Sequence, residues 1–227
     1  MTLRDHGKGQ LVKLFVWDLH GVLEQGNDRA VVDISNEVLS TFGYESRFTY
    51  EDGRLLYGKK WYEYFAFLLP EEAHQRHLEL QDACFILSEE RPELQYRWMT
   101  PTPHVRTVLD AIAARHQQIV ISNTRPGTLD MFLKLLDLTD YFVPGRAFAV
   151  DQHVLDVKTT KLDVLAGYLA GQSRFEEVVI VGDSASDMRL AEVAGGVTFL
   201  FAHPGFALRN CPADFKIRDL RQVLHRV

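Results

Sequence analysis

Leu11-Val12-Lys13-Leu14-Phe15-Val16-Trp17-Asp18-Leu19-His20-Gly21 decides how this chain is read. A short, mostly apolar run, bounded by Gly9 and Gly21, ends in an acid. Its apolar residues do not alternate strictly with polar ones. That is the pattern of a strand buried on both faces, as in a parallel sheet. An aspartate at the carboxyl end of such a strand stands where open α/β sheets bind their ligands.

Working outward, the pattern repeats. Gln118 to Ser122, Glu177 to Gly182 and Val197 to Phe201 are short apolar runs that read as strands, and Ala147 to Val150 is a further candidate. Helical patterns lie between them. Val105, Val108, Leu109 and Ile112 recur at helical spacing, Lys161 to Ala170 follows suit, a helix runs on from Gly182 to about Ala194, and Asp219 to Val227 closes the chain. Arg125 to Leu136 forms another, with Thr124 as its expected cap and Pro126 tolerated in its first turn. Strands alternating with helices predict a parallel sheet with helices on both faces.

Residues 26–100 interrupt that alternation. A helix is expected from Arg29 to Phe42, with Gly43 as its stop. Residues 44–100 are rich in charges and in aromatics such as Tyr57, Trp61, Tyr62, Tyr64, Phe65 and Phe67, with no convincing strand, and read as several short helices. Thr100-Pro101-Thr102-Pro103 punctuates the chain and marks a boundary. The expected division is a core of residues 1–25 and 101–227, with 26–100 as a helical insertion.

At 227 residues and 46% hydrophobic content the chain can bury one sizeable core and a satellite. A net charge of −6 with mixed signs lacks the basic stripe that nucleic acid requires. Cys84 and Cys211 lie far apart in no metal-ligand spacing, so they read as thiols in a reducing compartment. The polar N-terminus lacks the apolar region of a signal peptide, and no apolar stretch approaches the ~18 residues of a membrane span. No membrane association and a cytoplasmic location are the expectation; the oligomeric state is not encoded in any readable feature.

Chemistry is expected at the strand ends. Asp18 to Leu23, Ser122-Asn123-Thr124 and Gly182 to Asp187 fall on one rim, with Lys161 opening a helix beside them. Carboxylates are hard oxygen ligands suited to Mg²⁺ beside a phosphate. A carboxylate can also attack phosphorus to give an acyl phosphate that water later cleaves. A cation and a lysine would offset the repulsion between Asp18 and a phosphate dianion. Ser122 and backbone N–H groups would hold the remaining oxygens.

These residues resemble the four motifs of the haloacid dehalogenase (HAD) superfamily, in family order and over nearly the whole chain. Trp17 to Leu23 is similar to the first motif, Ile119 to Asn123 to the second, Lys161 to Leu165 to the third, and Val179 to Ser184 with Asp187 to the fourth. Lys158 competes with Lys161 for the third. The resemblance implies a Rossmannoid core and, in residues 26–100, an insertion similar to the helical C1 cap of phosphoglycolate-phosphatase-like members. It implies Asp18, His20 and Lys161 as catalytic residues and Ser122, Asn123 and Gly21 against the substrate. Mg²⁺ would be held by Asp18, Asp183, Asp187 and the His20 backbone carbonyl, and the substrate would be a small phosphorylated molecule.

One position departs from the family. Where phosphatases carry a second aspartate two residues after the nucleophile, this chain has His20. Histidine can donate and accept protons near neutrality, so an altered acid/base is the leading expectation. Three alternatives stay open at this point: a phosphonatase using Lys59 or Lys60 for a Schiff base, a 2-haloacid dehalogenase, and a non-catalytic module that binds a phosphorylated ligand or a protein partner. Arg54, Lys59 and Lys60 otherwise read as solvated surface charges, with the alternative that one of them reaches a second anionic group on the substrate; the Tyr57 to Phe67 aromatics read as core of the insertion, with the alternative that some line the leaving-group pocket. His74 and His77 read as exposed polar residues on one helix, and His203-Pro204-Gly205 as a loop near the rim.

Overall fold

The structure is a computed structural model that describes residues 12–151, 159–172 and 174–227. Strand β1 (Leu14–Trp17) is buried at all four positions. A two-residue strand β2 (Glu24–Gln25) leads into helices α1 (Asn27–Thr41), α2 (Tyr50–Leu55), α3 (Trp61–Leu68), α4 (His74–Glu90) and α5 (Glu93–Tyr96). The chain returns through β3 (Thr100–Pro101) and α6 (Val105–Ala113), followed by β4 (Gln117–Ser122), α7 (Pro126–Leu135) and β5 (Ala147–Ala149). Helix α8 (Lys161–Ala170), β6 (Val178–Gly182), α9 (Ala185–Met188), α10 (Ala191–Ala194), β7 (Val197–Phe201) and β8 (Phe215–Ile217) complete the order.

Six strands form one sheet in the order β5-β4-β1-β6-β7-β8, and every pairing is parallel. The uninterrupted apolar runs now have their cause. Phe15, Trp17, Val120, Val179 and Val181 face one core cluster, shared with Val108 and Leu109 of α6 and Leu129 and Phe132 of α7. Leu14, Val16, Ile119, Ile121 and Ile180 face the other, shared with Leu165 of α8 and Met188. Successive residues of a strand point to opposite faces, so a strand covered on both sides is apolar at every position. The sheet order reverses direction at β1, which sits between β4 and β6. The crevice at the carboxyl end of β1 is therefore the natural ligand site.

Helices α1 to α5 do not extend either cluster. They enclose a third one, with Val32, Val38, Leu39, Tyr64, Phe65, Leu80 and Cys84 among its buried members. Glu24 and Gln25 pair antiparallel with Pro101 and Thr100, so this helical segment leaves and rejoins the sheet side by side. Gly26 at the crossing has φ +98°, and a Cβ there would fall 2.2 Å from the Trp98 carbonyl oxygen. Only glycine fits such a close backbone approach.

Several sequence expectations need correction. The first strand starts at Leu14, and Leu11 lies outside the described residues. Thr124 does not cap α7: Arg125 is the N-cap, without a side-chain bond, and Pro126 occupies the first turn. The helix expected after Gly182 is two short pieces, and the closing helix is a 3-10 turn over Leu220–Arg226. Thr100–Pro101, read as mere punctuation, is a strand, and β8 was not anticipated, because two- and three-residue strands are too short to show a period. His77 is buried and bonds the Leu69 carbonyl at 2.9 Å, so it is not an exposed polar residue. Both cysteines are buried and free. Among the described residues, no helix is long and apolar enough to cross a membrane.

Candidate active site

Parallel pairing aligns the ends of β1, β4 and β6, and the residues just beyond them converge. Lys161, at the first turn of α8, places its Nζ 2.8 Å from Asp18 Oδ1 and 2.7 Å from Asp187 Oδ1. All three side chains are at most a tenth exposed. Carboxylate oxygens of Asp18, Asp183 and Asp187 lie within 4.8 Å of one another. Asp18 Oδ1 also accepts the Leu19 N–H at 2.8 Å, while Asp18 Oδ2 accepts no hydrogen bond among the described residues. Ser122 is fully buried and its hydroxyl has no partner among the described residues; Asn123 is exposed beside it. Ser122, Asn123, Asp18, His20 and Lys161 all line one cavity of about 360 Å³.

Local sequence explains why Asp187 points inward. Ser184 caps α9, its backbone N–H and hydroxyl both donating to Asp187 Oδ2, at 3.2 and 2.5 Å. A carboxylate that closes a capping box is fixed in rotamer. Gly182 gives it room, since a Cβ there would come within 2.1 Å of Asp187 Cβ. Asp183 pairs with Arg209 at 3.3 Å.

Three acids around one lysine carry excess negative charge. Burial first, then the Asp187 charge, pushes Asp18 up to about 6, against the pull of Lys161. Burial and the charges of Asp18 and Asp187 push Asp183 up to about 7. Burial works to discharge the Lys161 ammonium, but Asp18 and Asp187 more than reverse this and hold it above the usual lysine range. A carboxylate cluster that resists ionisation is the electrostatic setting a divalent cation relieves, and the all-oxygen donor set fits Mg²⁺.

His20 has a partner that sequence reading missed. Glu24, fully buried on β2, accepts from His20 Nδ1 at 2.8 Å and from the Gly21 N–H at 3.3 Å. Gly21 is itself buried in this turn, with φ +75°. Burial acts to lower the His20 pKa, but the hydrogen bond and charge of Glu24, followed by Asp18, leave it raised. The ring also meets Phe132 edge-on, centroids 5.1 Å apart. The only sequence signal for Glu24 was an acid four residues from His20, a spacing read from helices, whereas here a tight turn brings the two together.

Arg209 was also missed. The Arg209 guanidinium donates to the Tyr57 carbonyl at 3.1 Å and lies over its ring. Lys59 is exposed and paired with Glu63, and Arg54 is exposed and bonds the Gly205 carbonyl, so neither reaches the acid cluster. His203 lies in the loop after β7, as expected, and is buried there against Tyr57 and Phe206. Lys158 lies outside the described residues.

Comparison with known proteins places this geometry. No curated protein matches the chain in sequence. Among solved structures, a HAD-superfamily hydrolase of subfamily IA from Geobacter sulfurreducens is similar at 22% identity, covering 96% of this chain and 97% of that one with a TM-score of 0.70. A predicted phosphoglycolate phosphatase from Haemophilus somnus has 16% identity, coverage of 97% and 99%, and a TM-score of 0.73. A HAD family hydrolase from Deinococcus radiodurans, solved with bound phosphate and sodium, has 16% identity, coverage of 94% and 94%, and a TM-score of 0.66. At these identities the likeness concerns the fold. The family model for haloacid dehalogenase-like hydrolases matches residues 12–195, which include Asp18, Ser122, Lys161, Asp183 and Asp187. This chain is a member of the haloacid dehalogenase-like hydrolase family.

Proposed function

We propose that the protein is a Mg²⁺-dependent phosphomonoesterase that forms an aspartyl-phosphate on Asp18. The observation that carries the reading is the buried cluster of Asp18, Asp183 and Asp187 around the single ammonium of Lys161. With Oδ1 engaged by Lys161 and Leu19, Oδ2 is the Asp18 oxygen left to act. Asp18, Asp183, Asp187 and the His20 carbonyl would hold Mg²⁺, which supplies positive charge against the phosphate and its transition state.

Asp18 attacks phosphorus and the bond from phosphorus to the leaving oxygen breaks. His20 gives its proton to that oxygen, then takes one from the water that cleaves the acyl phosphate, releasing phosphate and restoring the Asp18 carboxylate. The Glu24 carboxylate supports this role. It holds Nδ1–H and leaves Nε2 as the working nitrogen, the same orienting logic found wherever a carboxylate backs a catalytic histidine. Ser122 and, in the turn after Asp18, the His20 N–H, which unlike those of Leu19 and Gly21 is not taken up by a carboxylate, bind the phosphoryl oxygens. We read residues 26–100 as a cap over this site, since their helices carry their own apolar cluster and supply one wall of the cavity. Of the two lysines the phosphonatase alternative offers, Lys59 is exposed and paired rather than desolvated.

The test is phosphate release from a panel of phosphomonoesters, with Mg²⁺ or with EDTA, for wild type and Asp18→Asn. Release that needs Mg²⁺ and disappears in Asp18→Asn is expected. Release that survives either EDTA or the substitution overturns the mechanism.

A further inference from the structure

Two cations divide the three acids of the cluster between them. Lys161 holds Asp18 and Asp187, while Asp183 Oδ2 pairs with the Arg209 guanidinium at 3.3 Å. The same guanidinium nitrogen, Nη2, donates to the Tyr57 carbonyl at 3.1 Å, and the group lies over the Tyr57 ring. One side chain from the loop after β7 thus ties a member of the acid cluster to the helical segment.

Tyr57 sits close to the chemistry. A Cβ on Gly21 would lie 2.8 Å from Asp183 Oδ2 and 3.2 Å from Tyr57 Cε1, so the ring rests on the turn after Asp18. Gly58 has φ +85°, and a Cβ there would stand 2.8 Å from Arg209 Nη2. A side chain at that position would crowd the guanidinium off the carbonyl. The rest of the seam is made of rings and a backbone contact: Tyr57 meets His203 and Phe206 with centroids 5.5 and 5.1 Å apart, and Arg54 of α2 donates to the Gly205 carbonyl. The residues that follow Gly58, namely Lys59, Lys60 and Trp61, line the cavity. Where the seam sits therefore sets where that wall sits.

Of these contacts, the one through Arg209 touches the acid cluster. A divalent cation at Asp183 takes the carboxylate that holds Arg209 and repels the guanidinium. We propose that Arg209 is a positioning residue that couples cation binding at Asp183 to the seating of the helical segment. Filling the cation site frees Arg209 from Asp183 and loosens the seam at Tyr57, so a loaded site opens to substrate more readily than an empty one. This rests on the Mg²⁺ part of the proposed function and not on the reaction. Such coupling is reciprocal: Arg209 weakens cation binding by the factor by which the cation loosens the seam.

Mn²⁺ is the probe, with affinity read by calorimetry and seam opening by amide hydrogen exchange of residues 54–61 in the full chain. In wild type, Mn²⁺ should speed exchange of 54–61 about three- to tenfold and leave β4 unchanged. Arg209→Met should bind Mn²⁺ more tightly by a similar factor, exchange faster without metal, and no longer respond to it. Arg209→Lys keeps the charge beside Asp183 but loses the fork that spans two acceptors, so its affinity should stay near that of wild type while the seam loosens. Arg54→Met should loosen the seam with no gain in affinity. Unchanged or weaker Mn²⁺ binding in Arg209→Met makes Arg209 merely structural and overturns the proposal. A wild-type seam that ignores Mn²⁺ overturns it too, and that arm decides even if Arg209→Met does not fold. If Mn²⁺ binds to none of these proteins, the reading of the cation site fails and the coupling with it; if it binds without moving the seam, the coupling alone fails.

Discussion

The two walls of the cavity are built by opposite means. The wall formed by strand ends concentrates charge: Asp18, Asp183, Asp187 and Lys161 sit within hydrogen-bond reach of one another or nearly so, largely hidden from water. The wall formed by the helical segment disperses charge: Lys59 is paired with Glu63, Glu89 reaches across to Arg125 at the start of α7, and rings such as Trp61 and Phe85 line the cavity. A charged cluster needs a rigid frame, because a displacement of an ångström leaves a buried ion unpaired. Parallel strands clamped from both faces give that frame. An apolar wall tolerates small shifts and changes of side chain, so it can sit on short helices with a core of their own.

Substitutions on the two walls should therefore differ in kind as well as size. The largest effect is expected from Lys161→Met, which strands Asp18 and Asp187 without a cation. Urea denaturation at pH 8 should show a loss of about 3 kcal/mol. The loss should be smaller at pH 5, because Asp18, raised to about 6, is then largely protonated. Equal losses at both pH values would mean that the cluster is not electrostatically tense. Next comes Glu24→Gln, which keeps an acceptor for His20 Nδ1 but removes the charge behind it. We expect kcat to drop about 10- to 100-fold with little change in KM. A change confined to KM would remove Glu24 from the proton-transfer machinery.

Asp183→Asn should have a moderate, pH-dependent effect on stability. Its folded pKa, about 7, lies above the ordinary carboxylate value, so the folded protein binds more protons and is favoured at low pH. That stability is fully present below about pH 4 and is lost as pH rises through 7. In EDTA the variant should melt several degrees above wild type at pH 8 and close to it at pH 4. Saturating Mg²⁺ should narrow the gap at pH 8 by stabilising the wild-type carboxylate. A gap independent of pH would contradict this account. The smallest effect belongs to the other wall. Phe85→Leu keeps most of the apolar contact, and a KM rise of about threefold with kcat intact is the expectation from steady-state kinetics. A collapse of kcat instead would show the helical wall to be as exacting as the strand ends.

The same contrast governs how much could be read from sequence. A strand covered on both faces must be apolar at every position, so β1, β4, β6 and β7 announce themselves, and each puts its next residues on the common rim. Asp18, Ser122, Asp183 and Asp187 follow from that rule, whereas Lys161, at the start of α8, is preferred over Lys158 on the family resemblance. Glu24 does not, since it becomes His20's partner only through the tight turn at Gly21, which no local period encodes. Tyr57 and Arg209 reach the site from loops that are far apart in sequence, and their meeting depends on how the helical segment rests on the sheet. The 17-residue α4 looked like several short helices because its apolar residues define no single stripe: it packs within the segment while a further side, with Phe85, faces the cavity. Long-range docking of that kind is written into surfaces rather than into periodicities.

The narrow ribbon in which Glu24 and Gln25 lie against Pro101 and Thr100 has a consequence for the history of such a molecule. Its outgoing and returning strands are neighbours, so everything threaded between them is topologically a long hairpin loop. A loop with adjacent ends can be lengthened, trimmed or exchanged without moving any of the six strands. Specificity can thus be rewritten by replacing a paragraph while the grammar of the reaction, spelled at the strand ends, stays as it was.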